Sequence, residues 1–152
     1  MKQLLYLKFL ALIFALVACT DHIIVSETTD CPKYVELNFS NYNSLSTDPI
    51  SIISAKVDGD CLKLTLQYGG GCKEHQVDLA LIQPECGTPP LPPPTFEIRH
   101  NANGDVCKAL VTKDYSFDIK GIREEGKNKT DFILGIGSSS GITSTNTYTY
   151  IY

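Results

Sequence analysis

Four residues in two short segments have the types and the spacing to do chemistry. Cys72 and His75 follow a run of three glycines, and His100 and Cys107 flank a polar turn. Two thiolates and two imidazoles can hold a tetrahedral zinc ion, and Cys72-x-x-His75 suits one arm of such a site. The longer second arm favours a Cys72–Cys107 disulfide instead, with both histidines hydrogen-bonded to the backbone of the turns.

The first nineteen residues indicate an oxidising compartment, where neighbouring cysteines usually pair. A short basic start leads into an apolar run over residues 10–18, which ends in Leu16-Val17-Ala18-Cys19, the pattern of a bacterial lipobox. The run is shorter than the roughly 20 residues of a membrane span. We therefore predict a lipoprotein signal peptide over residues 1–18 and a lipidated Cys19. A plain secretory signal and a short transmembrane helix are the alternatives.

The residues after Cys19 predict where the protein is and what it contacts. Residues 19–30 read as a lipid-anchored tether, and Thr20 stands where an aspartate would retain some lipoproteins at the inner membrane. We expect an outer-membrane location. The domain could face either the periplasm or the cell exterior. Without residues 1–18 the chain has 11 Lys and Arg against 17 Asp and Glu, a net charge of −6. That charge argues against nucleic acid as a partner. Envelope proteins and glycans remain as candidate partners.

Residues 31–152 must position the four candidate residues, and their pattern predicts one all-β domain. Apolar and polar residues alternate with period two, and Gly, Pro, Asn and Asp clusters separate the runs. Asp58-Gly59 between two apolar runs predicts a hairpin with positive φ at both residues. Residues 84–94, with five prolines after Gly87, predict an extended connector that crosses between sheets. We expect an immunoglobulin-like β-sandwich of about eight strands.

The order of these strands brings the histidines together. His75 begins one strand and His100 ends the next, each in phase with the apolar face. If the two strands are antiparallel neighbours, both histidines lie at one end, with Cys72 and Cys107 close by. Cys61 and Cys86 would lie toward the opposite end and are the second candidate disulfide, while Cys31 could instead pair with either of them.

The two segments also carry a resemblance to a known group. Tyr68-Gly69-Gly70-Gly71-Cys72-Lys73-Glu74-His75, followed by His100 and Asp105-Val106-Cys107, resembles uncharacterised small lipoproteins of Bacteroidota. Their hallmark is a Tyr-x-Gly-Gly-Cys-x-x-His segment followed by a His…Asp-x-Cys segment, and the similarity covers roughly residues 52–118. The resemblance implies an envelope location, a β-rich fold and a joint role of Cys72, His75, His100 and Cys107.

Three functions from different classes follow from these features. The first is a non-enzymatic binding or structural module of the cell envelope, with loops as the contact surface. The second is a metal-binding protein that uses Cys72, His75, His100 and Cys107. The third is an inhibitor of a secreted protease that presents the loop 84–94. A Cys-x-x-Cys pair, a phosphate loop and paired carboxylates are missing from the sequence, so we expect neither an enzyme nor a cofactor.

Overall fold

The computed structural model describes residues 31–83 and 90–152. Within these ranges the chain forms eight strands and two one-turn 3-10 helices, Tyr42–Ser44 and Lys120–Ile122. The strands are β1 (Val35–Leu37), β2 (Ser51–Asp58), β3 (Cys61–Gly70), β4 (Gln76–Ile82), β5 (Thr95–Asn101), β6 (Ala109–Asp118), β7 (Lys129–Ser138) and β8 (Gly141–Ile151). The predicted all-β sandwich of about eight strands is confirmed.

Two sheets pack face to face. One has five strands in the order β1-β4-β5-β7-β8, and the other has three in the order β2-β3-β6. The alternation expected in β3 is present, since Leu62, Leu64 and Leu66 are buried between the sheets while Lys63 on the other face is exposed. Phe96, Ile98, Phe132, Leu134 and Tyr150 form the opposing side of the same core.

The chain crosses between the sheets twice at one end of the sandwich. Residues 71–75 lead from β3 to β4, and residues 102–108 lead from β5 back to β6. We call the end formed by these two connections the histidine end. The end at the β2–β3 turn, residues 58–61, is the hairpin end. The two ends are separated by the length of β3, which is about 30 Å for ten extended residues.

The connector after β4 differs from its prediction. β4 and β5 are antiparallel neighbours in the five-stranded sheet, with Val77 opposite His100 and Ile82 opposite Thr95. The chain therefore leaves and re-enters the same sheet and does not cross between sheets. Residues 84–89 of the connector lie outside the described residues. Because β4 begins and β5 ends at the histidine end, the described flanks of the connector, residue 83 and residues 90–94, lie on the hairpin side.

β6 is one long strand of ten residues, Ala109–Asp118. It pairs with β3 over its whole length, from Gly70 opposite Ala109 to Cys61 opposite Asp118. It includes the polar residues 112–114, since it is an edge strand of its sheet. Cross-strand pairing with β3 holds the polar residues in extended conformation.

Residues 1–30, which include the predicted signal peptide, Cys19 and the tether, lie outside the described residues. In the part of the chain that the structure describes, no helix has the length and apolar character needed to cross a bilayer.

The β2–β3 hairpin is present, but its turn lies one residue later than expected. Asp58 pairs with Cys61, so Gly59 and Asp60 are the central residues. Gly59 has φ +57°, whereas Asp60 is not among the residues with positive φ. Glycine at the first central position fits the type II′ preference. The prediction of positive φ at both Asp58 and Gly59 is wrong because the strand includes Asp58.

A pair of glycine substitutions tests this turn. A Cβ added at Gly59 or at Gly69 would meet no atom within 4 Å, but only Gly59 has a positive φ. We expect Gly59→Ala to lower the free energy of unfolding by about 1–2 kcal/mol, the cost of a left-handed L-residue. Gly69→Ala, the matched control, should leave stability unchanged or slightly raised. Denaturant unfolding measures both, and equal effects would show that φ at Gly59 is not restricting.

Candidate functional site

The predicted cluster lies at the histidine end, and a disulfide joins the two crossing connections there. Cys72 and Cys107 form this bond, with their Cα atoms 5.9 Å apart and a sequence separation of 35 residues. Each cysteine belongs to a different crossing connection. The bond therefore fixes the β3–β4 connection to the β5–β6 connection, at the place where the chain passes between the sheets.

Asp105 organises the backbone around this disulfide. Its carboxylate accepts hydrogen bonds from the backbone N–H groups of Cys72 at 2.8 Å, Lys73 at 2.9 Å and Cys107 at 2.9 Å. These donors, with Cys107 first, hold the pKa of Asp105 well below its ordinary value against the opposing effect of burial. Its side chain is only 1% exposed. A buried, ionised carboxylate thus ties both crossing connections to one point.

The two histidines continue this network toward the other sheet. His75 Nε2 lies 3.2 Å from Asp105 Oδ2, and His75 Nδ1 lies 2.9 Å from His100 Nε2. His100 Nδ1 lies 3.0 Å from the carbonyl oxygen of Pro49. Both imidazoles are buried. Burial is the largest cause that lowers the pKa of His100 from its ordinary value.

Tyr68 and Gly70 of β3 form the wall against which the histidines pack. The Tyr68 ring stacks on His75 with centroids 4.7 Å apart and lies 4.8 Å from His100. Its hydroxyl lies 3.1 Å from that of Tyr115, whose pKa is raised mainly by burial. A Cβ at Gly70 would come within 2.5 Å of the His75 ring. Glycine at position 70 is therefore what lets the imidazole reach Asp105.

This geometry argues against the metal-site hypothesis, which stays a prediction. The ligand atoms of Cys72, Cys107 and Asp105 do lie within 4.8 Å of one another. The two sulfurs, however, are bonded to each other, and each imidazole nitrogen is hydrogen-bonded within the network. A metal-binding site needs free thiolates and an open imidazole nitrogen. Cys72, His75, His100 and Cys107 are brought together as expected, and in this arrangement their sulfur and ring nitrogen atoms are all engaged with protein partners.

The second disulfide differs from its prediction. Cys31 is bonded to Cys61, with Cα atoms 6.3 Å apart, so the expected Cys61–Cys86 pair is wrong. The chain before β1 runs alongside the end of β6, where Asp118 donates its backbone N–H to the Pro32 carbonyl at 2.8 Å. This contact carries Cys31 to the start of β3. Cys86 lies outside the described residues.

A polar cluster at the hairpin end was missed by the sequence reasoning. Asp60 accepts hydrogen bonds from the Tyr150 hydroxyl and from the guanidinium of Arg123. Arg123 Nε also donates to the Tyr150 hydroxyl at 2.8 Å. Burial, more than the bond to Asp60, raises the pKa of Tyr150 to about 12. The cluster joins β8 to the β2–β3 turn and so closes the hairpin end. Its only sequence signal was the alternating tyrosines of β8.

A second missed cluster lies on the outer face of the five-stranded sheet. Arg99 Nη2 donates to Glu97 at 2.6 Å, and the Tyr42 hydroxyl donates to the same carboxylate at 3.0 Å. The guanidinium carbon lies 4.3 Å from the Tyr42 ring centroid. A Cβ at Gly137 would come within 2.5 Å of Arg99 Nε. The segment that contains Tyr42 thus covers a buried ion pair, which makes these residues structural.

The arrangement defines a class of protein: a two-sheet β-sandwich whose crossing connections are joined by a disulfide and a buried Asp-His-His network. A family model described as the NigD-like C-terminal beta sandwich domain matches residues 33–150. The chain belongs to this family. No curated protein sequence matches the chain significantly.

Three solved structures of Bacteroides and Parabacteroides proteins have a similar fold. A protein of unknown function DUF1344 from Bacteroides vulgatus has a TM-score of 0.58 at 19% identity and is covered over 56% of its length. A putative toxin-related protein from Parabacteroides distasonis has a TM-score of 0.56 at 24% identity, with 60% covered. A NigD-like immunity protein from Bacteroides caccae has a TM-score of 0.55 at 13% identity, with 64% covered.

The alignments cover 79–80% of the present chain, which spans somewhat more than half the length of these structures. At such identities the likeness shows the fold alone. The source organisms of these structures fit the resemblance to Bacteroidota proteins. That the paired Cys/His segments are the hallmark of one group of proteins stays a prediction.

The disulfide pairing is directly testable. Peptide mapping without reduction should give two linked pairs, Cys31–Cys61 and Cys72–Cys107. The double variant Cys72→Ala/Cys107→Ala should lose about 4 kcal/mol of unfolding free energy, the chain-entropy value for a loop of this size. A linked Cys61–Cys86 peptide would contradict the disulfide pairing in the structure. An unchanged denaturation midpoint in the double variant would show that the Cys72–Cys107 bond does not stabilise the fold.

Proposed function

We propose that the protein is a non-enzymatic binding module of the cell envelope whose contact surface is the histidine end. The observation that carries this proposal is the exposure of two apolar side chains close to Cys107, one on the crossing connection and one at the start of β6. Val106 is 89% exposed and Leu110 is 71% exposed, and both lie within three residues of the disulfide. Exposed apolar residues on a fixed frame favour binding, because little conformational entropy is lost when a partner docks.

The rigidity of that frame has several independent sources. The disulfide and the Asp105 bonds fix the backbone on both sides of Val106. Lys73 Nζ donates to the backbone carbonyls of Asn103 at 2.8 Å and Gly104 at 3.0 Å, and Asn103 Nδ2 donates to the Glu74 carbonyl at 2.9 Å. Each crossing connection therefore supports the other. Such preorganised loops are suited to recognition.

The position of the predicted tether supports the same surface. Residues 20–30 lead into Cys31, which is bonded to Cys61 at the hairpin end. A lipidated Cys19 would therefore be joined to the domain at the hairpin end, about 30 Å from the histidine end. The same geometry argues against the protease-inhibitor hypothesis, because the described residues that flank the connector lie at the hairpin end, where the tether joins the domain.

The descriptions of the similar structures favour a protein as partner over a glycan. One of them is described as a NigD-like immunity protein and another as a putative toxin-related protein. An immunity protein suggests contact with another protein, whereas the second description states no partner. For this chain we propose only that it binds a protein partner at the cell envelope.

The anchor can be tested by Cys19→Ser. We expect the variant to leave the lipid-anchored membrane fraction or to remain unprocessed, because serine cannot form the thioether. Fractionation with metabolic labelling by a fatty-acid analogue measures this. A processed, labelled variant in the membrane fraction would refute lipidation at Cys19.

The contact surface can be tested by a photo-crosslinking amino acid placed at Val106 in the native host. Ile151, which is 73% exposed at the hairpin end, is the matched control. We expect a discrete protein adduct from position 106 and none from position 151, detected by immunoblot after irradiation. Adducts from position 151 alone would place the contact surface at the hairpin end, and identical patterns from both positions would refute a defined surface.

A further inference from the structure

Three of the large exposed apolar side chains lie at the hairpin end. Phe39, two residues after β1, is 86% exposed. Leu91, which leads into β5, is 59% exposed, and Ile151, the last residue of β8, is 73% exposed. A single exposed apolar residue is common on a protein surface. Three of them at the ends of three strands of one sheet favour a shared contact.

The strand order determines how these side chains are spaced. At the hairpin end β1 and β8 end and β5 begins. β4 separates β1 from β5, and β7 separates β5 from β8. Because neighbouring strands lie about 4.8 Å apart, the segments that carry the three side chains follow one another along the end of the sheet at intervals of about 10 Å. All three can therefore meet one flat surface together.

The most exposed of the three, Phe39, is presented by a hydrogen-bonded turn. Asn38 Oδ1 accepts from the Ser40 N–H at 2.9 Å and from the Ser40 hydroxyl at 2.6 Å, and the Asn41 N–H donates to the Asn38 carbonyl at 3.2 Å. The turn therefore holds the phenyl ring outside the core. Exposed aromatic and aliphatic side chains of this kind are those that enter the boundary between lipid headgroups and acyl chains.

The charges at the hairpin end permit approach to a lipid surface. Three of its carboxylates are in ion pairs: Asp58 with Lys63, Asp60 with Arg123 and Glu124 with Lys127. Among the described residues, exposed Lys120 and Lys129 belong to no ion pair, so their ammonium groups can contact lipid phosphates. Glu36 and Glu125 are likewise in no ion pair there, so the apolar side chains must contribute more to such a contact than charge does.

The predicted tether joins the domain at the same end. Cys31 is bonded to Cys61, beside the β2–β3 turn. Residues 20–30, between Cys31 and the predicted lipidation site, can span at most about 40 Å even when fully extended. That reach lets the domain touch a bilayer in several orientations, so the tether alone does not select one. The exposed apolar side chains at the end where the tether enters favour the orientation with this end on the lipid.

We infer that the hairpin end rests on the surface of the lipid bilayer, with Phe39, Leu91 and Ile151 at the boundary between headgroups and acyl chains. The inference rests on the lipid anchor proposed for Cys19 and adds an orientation of the domain to it. The histidine end then lies about 30 Å from the bilayer, the length of β3. Val106 is thereby placed away from the lipid, where a protein partner can reach it.

Tryptophan is absent from the chain, so a single introduced tryptophan reports on one position only. The full-length protein would be isolated from membranes as Phe39→Trp, Leu91→Trp or Val106→Trp. Each would be reconstituted into vesicles of phosphatidylcholine and phosphatidylglycerol, with or without bromine atoms on the acyl chains. All three positions are exposed, so the substitutions should leave the core intact.

Bromine quenches tryptophan fluorescence on contact. We expect quenching and a shift to shorter wavelength for Phe39→Trp and Leu91→Trp, because side chains of an interfacial segment enter the bilayer by about 5–10 Å. Val106→Trp should emit equally in both kinds of vesicle. Equal quenching of all three proteins would overturn the inference. So would an unquenched Phe39→Trp, which is the result expected in these vesicles if the hairpin-end side chains bind a protein and not lipid.

Paired serine variants test whether the apolar side chains hold the orientation. Ile151→Trp is the reporter, and Phe39→Ser/Leu91→Ser removes the other two apolar contacts at that end. We expect bromolipid quenching of the reporter to fall in this double variant and to stay unchanged in the matched control, Val106→Ser/Leu110→Ser. Equal quenching of the reporter in the two double variants would overturn the inference.

Vesicle flotation separates this inference from the anchor on which it rests. Wild-type protein isolated from membranes should float with the vesicles. If it does not float, the lipid anchor at Cys19 is refuted, and the orientation is refuted with it. If it floats while Phe39→Trp stays unquenched, the anchor stands and only the orientation is wrong.

Discussion

The Asp105 carboxylate is the constraint on which the histidine end depends. It is buried, and one oxygen receives backbone donors from the β3–β4 connection while the other receives a donor from its own connection. A buried charge is stable only when it is paired and hydrogen-bonded. Those backbone donors and the His75 ring meet that requirement, and in doing so they set the path of both crossing connections. The disulfide, the stacked Tyr68 and the absence of a side chain at Gly70 all fit around this arrangement.

The two ends of the sandwich are closed by the same kinds of interaction in different arrangements. At the histidine end a disulfide accompanies an Asp-His-His chain. At the hairpin end the Cys31–Cys61 disulfide accompanies a cluster of Asp60, Arg123 and Tyr150. Both clusters join residues from the two different sheets. A small sandwich with short crossing connections gains from such links, because each disulfide removes conformational entropy from the unfolded chain.

The site also shows why reactive residue types do not by themselves define a reactive site. Two cysteines and two histidines at one end of a fold match a zinc-ligand set. Here the thiols are consumed by the disulfide, and the imidazoles are committed to each other, to Asp105 and to the Pro49 carbonyl. In the proposed function, the exposed side chains beside this cluster, and not the cluster itself, would contact a partner.

The sequence by itself determined the fold class, the inward faces of the strands and the meeting of Cys72, His75, His100 and Cys107 at one end. Those features follow from period-two alternation and from the antiparallel order of β4 and β5, which are local in the chain. Only the tertiary structure decided the Cys31–Cys61 pairing, the role of Asp105 and the Asp60 cluster. The reason is physical: Cys31 reaches Cys61 through the pairing of residues 32–33 with the end of β6. Asp105 acquires its role from donors 32 and 33 residues away, and no local pattern records where so distant a segment will lie.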